Sequence, residues 1–556
     1  MTFRYKHLVW ILAVLAGFSF DRLFWEKPGG INFFIFILLI ILGGLIPIWL
    51  EKIHISWFSY GLLLPIAFFA WMTAIRAEPF TIATNVLITL STLILLSITL
   101  LNGSWHKFRI RDHALNLFKF LLNSIIGGIL FFTKITRSDT PSANAETKDL
   151  SDTNFEEPVT GAEAGASKVK RNRFIKKAAP YLRGILLAFP ILAILTALLA
   201  SADPVFNDRI QNLFSWFEIE SLGEYAFRLF YSLTFAYLIL SAYYFSIVES
   251  KKWLEKKQEE RQPGSLLGSI EASIILGGIN LLFLLFVILQ FTYLFGGQKN
   301  ITVEGFTYAE YARRGFSELL AVALISLVVF YVLSMITKRD SKAKQWSFSG
   351  LGLFLVGHVA IILASAFTRL TLYEAAYGFT RLRTLTHVFM IWTGMLLFGV
   401  AVLDLVKKVD RMPTLLILMI FGFGLSINLL NVDRFIVKQN VTRSMPSSDE
   451  YHAPELDTGY LYALSFDSIS PLVAFYTNPD TPPKLQADIG GVLACRLATL
   501  DPSQIYPWTS WHYARAEAIE MLKAQSGVLE AYPVSEDNGL FVEVNGEIRP
   551  CNGYDL

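Results

Sequence analysis

Eleven runs of about twenty apolar residues, separated by short charged stretches, decide most of what this chain can fold into. They lie at 7–25, 31–50, 56–75, 82–101, 181–200, 225–248, 271–295, 316–336, 350–369, 384–405 and 412–430. The hydrocarbon core of a bilayer is about 30 Å thick, so a crossing helix needs about 20 mostly apolar residues. Water does not reach that core to satisfy backbone N–H and C=O groups, so each run is expected to be helical. Composition agrees: 53% of the 556 residues are hydrophobic, 17% are charged, and mean hydropathy is +0.46. A soluble chain carries about a quarter of its residues as charge. The net charge of +2 singles out no partner, and nothing points to nucleic acid.

The first run starts with Arg4 and Lys6 but offers no small-residue cleavage site before Asp21 and Arg22, and reads as an uncleaved helix. Basic clusters occur at Arg4–Lys6, Lys107–Arg111, Lys168–Arg183, Lys251–Arg261, Lys338–Lys344 and Lys407–Arg411. Lysine and arginine favour the cytosolic side. With all of them there, eleven crossings put the N-terminus inside and residue 431 onward outside. A further apolar stretch, 115–133, contains Lys119, Asn123 and Gly127-Gly128 and has a basic cluster on each side. One crossing there breaks the parity, so a re-entrant or interfacial segment is expected, with a twelfth crossing as the competing reading.

Residues 136–178 change character. An acidic, serine- and alanine-rich stretch gives way to Lys168, Lys170, Arg171, Arg173, Lys176 and Lys177. Too little apolar surface is present to offset ordering entropy, which predicts a disordered cytosolic linker. Its basic end, Lys168–Arg183, suits anionic membrane lipid or serves only to enforce topology. The chain thus divides into an N-terminal membrane module at 1–135 with four spans, the linker at 136–178, a seven-span module at 179–430, and an extracytoplasmic domain at 431–556. In that last domain 455–476, 484–498 and 512–525 read as amphipathic helices. Asn545-Gly546 between short apolar runs is a strong hairpin signal, because both turn positions need positive φ. The two cysteines, Cys495 and Cys551, are expected to pair if the domain is exported; the alternative is two unrelated buried thiols. The expected fold is therefore an all-α polytopic membrane protein, about 11 spanning helices plus one re-entrant or interfacial segment, with a small α+β C-terminal domain.

No P-loop, His-Glu-x-x-His, Cys-x-x-Cys or nucleophile elbow occurs, and the eight histidines are scattered, so neither a metal nor a cofactor is expected. Gly350-x-Gly352 and Gly422-x-Gly424 lie inside apolar helices, where they suit close packing. The charged and aromatic residues that threading places at the outer face are the candidate site. They are Asp203; Glu304, Tyr308, Glu310, Tyr311, Arg313 and Arg314; Tyr373, Glu374, Tyr377, Arg381 and Arg383; and Asp433 with Arg434. Arginine on that face runs against the usual bias and needs a local reason. Pairing with the acids, in a network that locks helix ends and seats the tail, is the preferred one. The other is a pocket for an anionic group such as lipid phosphate, which the arginine fork matches. Polar residues at mid-depth are few: Asn85, Asn280, His358 and Asn428.

Three of these stretches, Ala197–Phe206, Tyr308–Phe316 and Leu372–Arg383, with Asn431–Arg434, Leu456-Asp457 and Tyr460-Leu461 following, resemble a bacterial multi-spanning membrane family known as domain of unknown function 4173. The likeness covers about 180–475 and implies a bacterial cell membrane, but no activity. The function expected is a non-catalytic envelope scaffold or sensor. The alternatives are a membrane-embedded enzyme acting on lipid-linked envelope substrates, with Glu310, Glu374 or Asp203 as acid or base, and a transporter.

Overall fold

The computed structural model describes residues 6–124 except 102, 109–111 and 114, eight scattered positions between 192 and 209, and 222–249, 267–294, 316–446, 454–500, 506–536 and 539–551. Its membrane part comprises α1 (Lys6–Phe24), α2 (Ile31–Leu50), α3 (Trp57–Tyr60), α4 (Leu63–Met72), α5 (Pro79–Thr99), α6 (Leu222–Tyr244), α7 (Ser269–Leu294), α8 (Phe316–Ile336), α9 (Lys342–Tyr377), α10 (Arg381–Leu405) and α11 (Met412–Leu430). Among the described residues nine helices are long and apolar enough to cross a bilayer, and Trp57–Met72 forms a shorter apolar pair. The run at 181–200 lies largely outside the described residues. The chain is a polytopic helical membrane protein.

Sequence order does not dictate the neighbours. α6 follows the long linker, yet it packs against α1 instead of joining the helices that come after it. Asp21 and Arg228 form a two-pronged ion pair at 2.8 and 2.7 Å, and Tyr231 donates to the same carboxylate. Phe20 stacks on Phe235 below them. α5 in turn packs on α11, α9 lies between α7 and α8, and α10 bridges α9 and α11. Three of the four glycines in the two short motifs meet side chains of a neighbouring helix: Gly352 faces Phe330, Gly422 faces Trp392, and Gly424 faces Phe69 and Ile88.

The bundle has two distinct ends. Lys107, Lys338, Lys342, Lys407 and Arg411 gather at one, the basic face, where the Thr414 hydroxyl donates to the His106 carbonyl at 2.9 Å. The loops at 25–30, 73–78 and 378–380 gather at the other, the tail face. The helical stretch 115–124 is the described part of the doubtful apolar segment. Its Phe120 packs with Ile98, Phe108 and Phe245, near the ends of helices at the basic face.

Beyond α11, Asn431 turns with φ of 51° and starts α12 (Val432–Arg443). The tail then holds α13 (Thr458–Tyr462), α14 (Ile469–Tyr476), α15 (Pro483–Ala498), α16 (Tyr513–Ala524), α17 (Ser526–Leu529) and strands β1 (Val534–Glu536), β2 (Leu540–Val544) and β3 (Glu547–Pro550). The stretch 455–476, expected as one helix, is broken: Ser465 is extended and its hydroxyl caps Asp467 N. The expected hairpin pairs Val544 with Glu547 across Asn545 and Gly546, at φ of 53° and 82°. A third strand, β1, adds to it in order β1-β2-β3. Cys495 and Cys551 form a disulfide with Cα atoms 5.5 Å apart. One apolar core runs without interruption from Ile427 of α11 through Ile436 and Val441 of α12 to Leu461, Ile469, Leu472, Ile489 and Leu493 of the tail. The tail is packed onto the bundle, not tethered to it.

Candidate functional site

Where the tail meets the bundle, charge is buried and answered. Asp433, on the first turn of α12, is 0% exposed. Both its oxygens accept from Arg381, Nε at 2.8 Å and Nη2 at 2.7 Å, and the Ser465 N–H donates to it at 2.7 Å. That last bond is the physical reason for the break in 455–476: only an extended Ser465 presents its N–H to Asp433. Arg381 opens α10, and its own backbone N–H donates to the Tyr460 hydroxyl of α13 at 2.7 Å. Glu78 approaches Arg381 to 3.8 Å while capping α5, with the Phe80 and Thr81 N–H groups donating to it at 3.0 and 2.6 Å and Pro79 at the first helical position.

A second carboxylate repeats the arrangement on the N-terminal half. Asp467 accepts from the Ala77 N–H at 2.6 Å and from Asn431 Nδ2 at 3.1 Å, and lies 3.8 Å from Arg76. Arg76 donates from Nε to the Asn428 carbonyl at 2.8 Å. One turn deeper, Asn85 and Asn428 exchange amide hydrogen bonds at 3.0 and 2.7 Å. Burial pushes the Asp467 carboxyl above its ordinary range, although Ala77 N–H and Arg76 both pull it down.

The remaining predicted residues divide. Arg383 donates to the Gly378 carbonyl at 2.6 Å and lies over the Tyr373 ring, which meets Tyr377 edge-on. Gly378 has φ of 78°, and a Cβ there would crowd Arg443 and Asn440, so the α9–α10 turn depends on glycine. Arg434 is exposed and lies near enough to Arg76 for their charges to repel. Asp203 accepts from the N–H groups of Val205 and Phe206 in its own turn. Glu304, Tyr308, Glu310, Tyr311, Arg313 and Arg314 lie outside the described residues, as does Lys168–Arg183. Glu374 is buried and meets His387 Nδ1 at 3.1 Å, while His387 Nε2 is 3.3 Å from the Thr371 hydroxyl. The other Glu374 oxygen has no partner among the described residues.

Residues that sequence reasoning passed over carry much of this site: Arg76, Glu78, Asp467, His387 and Ser465. Arg76 had the same signal as Arg381, an arginine on the face away from the basic clusters. Asn85 and Asn428 stood out as rare mid-depth polar residues, and they prove to be partners. His358 likewise meets Asn280 Oδ1 at 3.1 Å.

The loop 506–513 seats the tail on the N-terminal half. The Ile31 N–H donates to the Trp511 carbonyl at 2.9 Å, and the Tyr513 N–H to the Ala74 carbonyl at 2.8 Å. His512 is buried between them; Nε2 donates to the Arg76 carbonyl at 3.2 Å and Nδ1 accepts from the Arg515 N–H, an arrangement that requires a neutral ring. Desolvation, with Arg515 adding to it, holds the imidazole at about 4 against an ordinary 6.5. A depressed histidine stabilises the seated state above the ordinary value and ceases to as pH falls through the depressed one. Seating should weaken by up to about 3 kcal/mol between those two values. Asp467, raised by burial, acts in the opposite direction. Protease protection of the tail, followed from pH 7 to 4, should fall in the wild-type chain and change less in His512→Gln; equal slopes would rule the histidine out.

The family model for a domain of unknown function (DUF4153) matches residues 63–475, more than half of the chain, and the chain belongs to that family. This is an uncharacterised family, as the motifs implied, but it is not the family, 4173, that they resemble. The matched span holds Arg76, Glu78, Arg381, Asp433 and Asp467, and stops before the disulfide. No curated protein and no solved structure matches the chain.

Proposed function

We propose that the chain is a non-catalytic scaffold or sensor of the bacterial cell envelope, in which an extracytoplasmic domain is latched rigidly to both halves of a membrane bundle. One observation carries this reading: Asp433 and Asp467 join the tail to α10 on one side and to the 73–78 loop on the other. A sensor needs such a joint, because a domain hung on a flexible linker transmits nothing to the helices. Among the described residues, the forks of Arg381 and Arg383, which would suit a phosphate, are occupied by Asp433 and by backbone carbonyls. The orientation belongs to the same proposal, resting on basic residues at the face opposite the tail and on a disulfide suited to an oxidising compartment. So do the resemblance to family 4173 and a contact of Lys168–Arg183 with anionic lipid.

A second reading, an enzyme acting on lipid-linked substrates, has one specific support. Thr371, His387 and Glu374 lie in a hydroxyl–imidazole–carboxylate row of the kind in which a base activates a nucleophile, although the Thr371 hydroxyl here donates to the Phe367 carbonyl at 3.0 Å. Complementation separates the two. In cells lacking the gene, Glu374→Gln and His387→Gln chains that accumulate normally should restore tolerance of envelope stress, whereas Arg381→Ala should not. Full accumulation with lost complementation in the first pair would overturn the scaffold in favour of the enzyme. The transporter has less support, since Asn280 and His358, and Asn85 and Asn428, are bonded to each other.

A further inference from the structure

At the basic face the first turns of α7 and α9 lie side by side and leave an open groove of about 490 Å³. Its walls carry Ser269, Ser273, Ser347 and Lys344, and the flanks of Ile270 and Ile274. The two isoleucines are 75% and 69% exposed, as suits side chains meant for lipid tails.

The polar half of the groove is unusual within this protein. Hydroxyls on the spanning helices commonly donate back to the carbonyl four residues earlier, as Ser246, Ser326, Thr337 and Thr368 do. Those of Ser269, Ser273 and Ser347 have no hydrogen-bond partner among the described residues. Both helices also begin here, so first-turn N–H groups lacking carbonyls of their own helix point the same way, although the Ser341 hydroxyl already accepts from the Lys344 N–H at 3.3 Å and the Glu271 carboxylate lies beside Gly268 at the start of α7. Each helix N-terminus behaves as about half a positive charge and receives anions. Lys344, which lines the groove, adds a full charge, against Glu271 and Asp340. Trp346, 66% exposed next to Lys344, is the residue type that marks the headgroup level of a bilayer.

We propose that this groove binds an anionic phospholipid of the leaflet at the basic face. The phosphate takes hydrogen bonds from the three serine hydroxyls and charge from Lys344 and the two helix N-termini. An acyl chain runs over Ile270 and Ile274 into the hydrocarbon region. The isoleucine wall favours a lipid over a free anion, which would have no use for it.

Native mass spectrometry of the full chain, exchanged into mixed micelles of dioleoylphosphatidylglycerol and dioleoylphosphatidylcholine, tests this. The wild type should retain the phosphatidylglycerol severalfold over the neutral lipid. Lys344→Gln should reduce that preference markedly, and Ser269→Ala with Ser273→Ala and Ser347→Ala should reduce it further. Lys342→Gln, beside the groove but not lining it, should leave it nearly unchanged. An equal loss in Lys342→Gln would show diffuse surface attraction and overturn the site. Displacement of the lipid by millimolar inorganic phosphate would make it a free-anion site and overturn the lipid assignment. Thermal melting of each variant confirms that retention is compared between folded chains, and Lys344→Gln alone, at an exposed position, keeps the test available if the triple variant unfolds.

Discussion

Arg381→Ala is expected to loosen the C-terminal domain and to cost about 3–5 kcal/mol, the range for stranding one partner of a buried ion pair. The argument turns on Asp433. It has no exposure to water, and both its oxygens face Arg381; with the guanidinium gone, the Ser465 N–H is the hydrogen bond left to it among those described, and Arg496 acts on it only at longer range. Removing both charges, as in Arg381→Met with Asp433→Leu, should cost much less than Arg381→Ala, because the buried charge leaves with its partner. Proteolysis within 444–457, next to the tail, reads the effect, and a double-mutant cycle with Asp433→Ala isolates the pair. A melting curve for Arg381→Ala matching the wild type would mean that the apolar core alone holds the tail, and the latch would not be one.

How much of this could be read from residue order depends on the range of the interaction. The spans were legible because lipid imposes a length and a composition on each of them separately. The β2–β3 hairpin was legible because Asn545 and Gly546 carry its backbone requirement locally. Arg381 and Asp433 could be named as candidates, because an arginine away from the basic face demands an acid. Their pairing with each other, and not with Glu374 or Asp203, could not be read. Asp467 was hidden for a different reason. Its surroundings have helical periodicity, and the break at Ser465 appears only once Asp433, 32 residues earlier, draws that N–H away. The Asn85–Asn428 exchange spans 343 positions, and no local pattern encodes such a contact. α6 reads with the helices after it because the linker at 136–178 marks the division of the chain. Here the connection from α5 is long, and Arg228 returns to Asp21.

Opening the Cys495–Cys551 bridge should have an effect of similar size but confined to a different place. The bond spans 56 positions, and the loop entropy it removes from the unfolded chain corresponds to roughly 4 kcal/mol. That stabilisation belongs to the end of the chain. β2 buries Val542 and Val544, the latter against Gly491 of α15, where a Cβ would have no room. Arg549 reaches back to Asp488 of the same helix at 2.7 Å. Asp433 and Asp467, in contrast, are held by α10 and the 73–78 loop, on groups the bridge does not touch. In a Cys495→Ala, Cys551→Ala chain, amide exchange across 540–550 should therefore accelerate by roughly a thousandfold, each 1.4 kcal/mol being a factor of ten. Exchange in α12 and α14 should stay slow. Uniform acceleration through the whole tail would show that hairpin and latch are one cooperative unit, and the division of labour argued from their separate partners would fail. Unaltered exchange in the hairpin would show that the packing of Val542 and Val544 already suffices. Free thiols at both positions, in protein taken from cells without reductant, would count against the export on which the proposed orientation rests.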